Sequence, residues 1–141
     1  MTSYQEFHRR SLQEPDAFWS EQAKKIEWQT PPQQICDYSN PPFANWFVGG
    51  TTNLCHNAID RHLAARGDQS ALIAVSTETD TERVYTFAQL HDEVQRMAAA
   101  MQLLGVRTGD RVLIYMPMIA DAVFAMLACA RIGAIHSVVF G

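Results

Sequence analysis

Residues 111–141 read RVLIYMPMIADAVFAMLACARIGAIHSVVFG, and this stretch decides the fold class. Arg111 to Met116 is a short apolar run rich in β-branched and aromatic side chains, which predicts a strand, and Pro117 stops it. Asp121 to Ile132 is rich in Ala, Met and Leu, with Arg131 in its last turn and Gly133 just beyond, the pattern of a helix with a glycine stop. Ala134 to Phe140 returns to strand-forming residues. Strand, helix and strand with short joins make one βαβ unit, whose two strands are expected to be parallel neighbours joined by a right-handed crossover. Ligands of such sheets gather at the carboxyl ends of the strands, here Met116-Pro117 and Phe140-Gly141.

Upstream lies the firmest helix. Thr86 and Gln89 form a capping box, after which Phe87, Leu90, Val94, Met97, Met101 and Leu104 recur at spacings of three and four, until Gly105. Before it, Ala71–Ser76 and Arg83–Thr86 read as strands of a hairpin around the polar loop STETDTE. Thr52 or Asn53 is placed to cap one continuous helix through Ala65, with Leu54, Ala58, Ile59 and Leu63 facing inward and Gly67 closing it. Gly49-Gly50 marks a tight turn.

The amino-terminal part differs in character. Ser3 with Glu6 predicts a helix from Tyr4, and Pro15 opens a second, short helix with an apolar stripe of Phe18, Trp19, Ala23 and Ile26. Four of the chain's six prolines then fall between Gln29 and Pro42, predicting an extended connector without regular structure. The expected organisation is a helical arm and proline-rich connector over residues 1–42, then an α/β domain from residue 43 to 141 that is still being built at the last strand.

Composition narrows the function. The chain has 141 residues, is 48% hydrophobic and 18% charged, and carries a formal net charge of −4. Such a balance leaves no basic footprint for nucleic acid. The longest apolar run contains Asp121 and Arg131 and is too short to span a bilayer. MTSYQEFHRR has no apolar signal core, and three cysteines without a C-x-x-C pair suit reduced thiols, so a cytoplasmic location is expected.

Catalytic constellations are absent from the residues as read. Cys55, His56 and His62 share a predicted helix but match no zinc spacing, so no metal site is assigned. Asp60-Arg61-His62 are adjacent and cannot face one another on a helix, which leaves a local ion pair. His136 reads as a core histidine or one close to a site. No nucleophile elbow, Walker loop or G-x-G-x-x-G occurs. No catalytic residue is therefore assigned. The helix from Ala122 to Ala130 has no solvent-facing stripe and must be covered on nearly all sides. With no residues left over to cover it, an exposed apolar helix is expected, with self-association as its consequence, and the chain reads as unfinished.

Two long ordered motifs carry a family resemblance. PPFANWFVGGTTNLCHNAIDRHLAARGDQSALI (Pro41 to Ile73) and GDRVLIYMPMIADAVFAMLACARIGAIHSVVFG (Gly109 to Gly141) resemble the amino-terminal part of the AMP-forming short-chain acyl-CoA synthetases. Within the acetyl-CoA synthetase group the likeness is strongest to the propionate–CoA ligases, through PPFANWFVGGTTNLCHN. Asn45 stands where that family is expected to carry a basic residue. The resemblance implies an enzyme that adenylates propionate or acetate with ATP and Mg2+, releases pyrophosphate, and passes the acyl group to coenzyme A. It implies that the phosphate loop, the ribose-holding acid and the catalytic lysine lie later, so that this chain alone is inactive and binds none of these cofactors tightly. It also implies that Phe140 and Gly141 border the adenine end of CoA. A stand-alone, non-catalytic α/β interaction module is the rival reading.

Overall fold

The computed structural model describes residues 3–140, apart from the side chain of Phe140, and two compact units divide between Thr52 and Asn53. In the first unit, helix α1 (Tyr4–Gln13) starts where Ser3 Oγ accepts the Glu6 backbone N–H at 3.2 Å. The Glu6 carboxylate turns forward to Arg9 instead of back to the cap, so half of the expected box forms. Helix α2 (Pro15–Ala23) has Pro15 in its first turn, where a missing N–H costs nothing. Phe18 is the buried hub. Phe7 meets its ring edge-on with centroids 4.7 Å apart, and Trp19 does so at 5.1 Å.

The expected featureless connector is in fact a hairpin. Strand β1 (Gln34–Asn40) pairs antiparallel with β2 (Phe43–Val48) through partners such as Cys36 and Trp46. Pro31 and Pro32 precede β1, and Pro41 and Pro42 occupy the turn, so no proline falls within a strand and each strand keeps its donors. The chain before β1 is tied down as well. Thr51 and Thr30 exchange backbone hydrogen bonds, and Thr52 Oγ1 donates to the Glu27 carbonyl at 2.7 Å. The domain boundary expected at Pro42/Phe43 falls in the turn of this hairpin.

In the second unit, the helix expected from Thr52 or Asn53 to Ala65 is broken. Helix α3 (Leu54–Ala58) is followed by a 3-10 turn (Asp60–His62) and by α4 (Leu63–Arg66), the break falling at Ile59 (φ −127°, ψ −64°). Strands β3 (Ser70–Ser76) and β4 (Thr81–Thr86) form the expected antiparallel hairpin. Helix α5 (Phe87–Leu103) has both hydrogen bonds of the Thr86–Gln89 capping box. Leu90, Val94 and Ala98 are buried, whereas Leu104 lies past the helix end and is exposed.

The expected order of strand, helix and strand is present at the end of the chain. Strand β5 (Arg111–Met116), helix α6 (Ala120–Ile132) and strand β6 (Ile135–Phe140) follow one another, and β5 and β6 pair in parallel from Arg111↔Ile135 to Met116↔Phe140. Gly133 takes φ +75° just past α6, and a Cβ there would sit 2.9 Å from Thr108 Cγ2. Among the described residues this is the one parallel pair; the other two sheets are antiparallel ribbons, so the strands do not make one parallel layer.

Coverage of α6 corrects the sequence reading. The helix packs against α3, α5, β5 and β6, and Asp121 is its one exposed residue. Phe124 meets Tyr85 edge-on at 5.2 Å, and Ala128 and Cys129 are fully buried. The chain thus covers its most apolar helix from within. What stays bare is the far face of the β5–β6 pair, where Leu113 is 67% and Tyr115 69% exposed, beside Ile135 and Val139. A helix lying on one face of a sheet leaves the opposite face to be covered by something else.

Candidate functional site

The strand carboxyl ends are the first place to look. Met116 and Phe140 are the last register pair, and the chain leaves β5 through Pro117, Met118 and Ile119 before entering α6. Proline ends the strand because it cannot donate to a ladder. The Ile119 backbone N–H donates to the Pro117 carbonyl at 2.8 Å, folding the loop tightly, and no side chain caps α6. Met118 and Ile119 are exposed. Such a loop can wall a ring or an aliphatic arm. It carries no basic side chain, so it cannot neutralise the phosphates of a nucleotide. Phe140 is placed at the strand end by its backbone; its side chain and Gly141 lie outside the described residues. A groove of about 200 Å³ does border the same strands, lined by Arg111, Leu113, Ile135, His136 and others, but at their amino-terminal half. His136 is exposed there, paired in register with Val112, so of its two readings the core one is corrected, while it does border the groove.

The residues near Cys55 organise differently from their order in sequence. Cys55 is fully buried, and burial pushes its thiol up against the opposing pull of the Arg131 guanidinium. His62 packs its ring against Phe87 with centroids 5.4 Å apart. Among the described residues no three His, Cys, Asp or Glu side chains gather closely enough to hold a metal ion. A buried thiol and a ring-packed imidazole are not the oxygen donors that Mg2+ takes, and the strand-end loop carries no cation for a nucleotide's phosphates.

Arg61 donates to Asn57 Oδ1 at 2.7 Å. The Oδ1 of Asp60 lies 2.7 Å from Arg131 Nη2 and 3.2 Å from His91 Nε2. One carboxylate thus joins the 3-10 turn, α5 and α6. Burial, the largest single influence, would lower the Arg131 pKa; the hydrogen bond that Arg131 donates to Asp60 and the attraction of Asp60 and Cys55 together outweigh it and hold the group above its ordinary value. Asn53 Nδ2 donates to the Ala130 carbonyl at 2.8 Å, adding a second tie from the start of α3 to the end of α6. Sequence reasoning used Arg131 only as a charge near a helix end. The overlooked signal was that a cation inside an otherwise apolar helix must find a partner when it packs. The cluster holds elements together; it contains no nucleophile near a base and an open site.

Comparison with known proteins decides the family. Residues 4–58 match the family described as acetyl-coenzyme A synthetase N-terminus, and residues 59–141, more than half of the chain, match the AMP-binding enzymes. The chain belongs to the AMP-binding enzyme family. It is 63% identical over 139 residues to the propionate–CoA ligases of Salmonella typhimurium and Escherichia coli, covering 99% of this chain. It is 50% identical over 140 residues to acetyl-coenzyme A synthetase 2 of Pseudomonas putida, covering 98% of this chain. The acetoacetyl-CoA synthetase structure from Streptomyces lividans superposes with a TM-score of 0.87 at 34% identity over 99% of this chain. The chain spans 22% of the length of each of these relatives. Its helical start followed by β-structure is consistent with the amino-terminal domain of an AMP-forming acyl-CoA ligase, and the sequence-level resemblance to that superfamily holds. No helix among the described residues is long and apolar enough to cross a membrane.

Proposed function

We propose that this chain is the amino-terminal portion of a propionate–CoA ligase, an enzyme that converts propionate, ATP and CoA to propionyl-CoA, AMP and diphosphate through propionyl-adenylate. The observation that carries the reading is the 63% identity to propionate–CoA ligases along nearly the whole chain, against 50% to an acetyl-coenzyme A synthetase. In this reading residues 43–141 open the adenylation domain, and the β5–β6 pair begins a larger parallel sheet. Phe140 and Gly141 border the adenine end of CoA, in keeping with ligand binding at strand carboxyl ends. ATP and Mg2+ are held, in the same reading, by residues of the full-length enzyme that lie outside this chain. A cytosolic setting suits the three free cysteines.

The test is acyl-CoA formation by the enzyme translated from the complete reading frame, with propionate and acetate compared at equal concentration. A higher kcat/KM for propionate is expected; equal or reversed preference assigns the enzyme to acetate instead. The 141-residue chain assayed alone is expected to release no pyrophosphate, and turnover by it would overturn the reading.

A further inference from the structure

No further inference is drawn: the strongest candidate, the apolar outer face of the β5–β6 pair formed by Leu113, Tyr115, Ile135 and Val139, is an unpartnered sheet face, and nothing in the structure shows what covers it.

Discussion

Asp60 and Arg131, far apart in sequence, meet with Oδ1 and Nη2 2.7 Å apart, each side chain less than a quarter exposed. The pair sits between the regime of surface ion pairs, about 0–1 kcal/mol, and that of buried pairs broken on one side, about 3–5 kcal/mol. Asp60→Asn is therefore expected to cost about 2 kcal/mol, read as a lower urea midpoint by circular dichroism. Replacing both partners, Asp60→Leu with Arg131→Met, removes the stranded charge and is expected to cost less than Asp60→Asn alone. Equal or larger loss in the double variant contradicts this account of the pair.

The thiols of Cys55 and Cys129 are both pushed up by burial. A group protonated more tightly in the folded state than in the unfolded one stabilises fully below the unfolded pKa. That contribution is lost as pH rises through the folded value. Stability should thus fall above roughly pH 8.5, the usual thiol range, and less steeply in the Cys55→Ala, Cys129→Ala double variant. In native protein at pH 8, Cys36, which is only partly buried, should react with a thiol reagent well before the other two.

Gly50 has no room for a side chain. A Cβ there would lie 2.9 Å from Trp28 Cζ3 and 3.0 Å from the Phe47 carbonyl oxygen. Gly50→Ala should destabilise the first unit by about 1–3 kcal/mol, the usual cost of overpacking. All three tryptophans, Trp19, Trp28 and Trp46, precede Thr52, so tryptophan fluorescence reports this unit alone. An unchanged fluorescence midpoint would show that the turn can open without cost.

Thr86 caps α5 with its hydroxyl on the Gln89 N–H at 3.2 Å, and Gln89 returns the bond to the Thr86 N–H at 3.0 Å. Thr86→Ala should cost about 1 kcal/mol in urea unfolding, and Thr86→Ser much less.

Leu113 and Tyr115 point away from the core. Leu113→Glu with Tyr115→Lys should lower the binding of a hydrophobic dye such as ANS while moving stability by less than about 0.5 kcal/mol, as for surface positions in general. A large loss of stability would place these side chains in the core after all.

The amino-acid order by itself determined the elements whose signal is local. The capping box before Phe87, the period of α5, the polar loop between β3 and β4, and Pro117 and Gly133 around α6 each act within a few residues, so their helices and strands could be read directly. The two motifs from Pro41 and Gly109 likewise carried the family. Tertiary structure alone decided three matters. It showed the proline-rich segment to be a hairpin, because its prolines fall before β1 and in the turn, where they leave the hydrogen-bond donors of both strands in place. It broke the helix after Ala58, in the segment where Asp60 meets Arg131 and His91, contacts that no short window contains. It covered α6 with α3, α5 and the β5–β6 pair and left the outer sheet face bare. Which surface is buried depends on what packs against it, and hydrophobicity along one segment does not say where its neighbours fall.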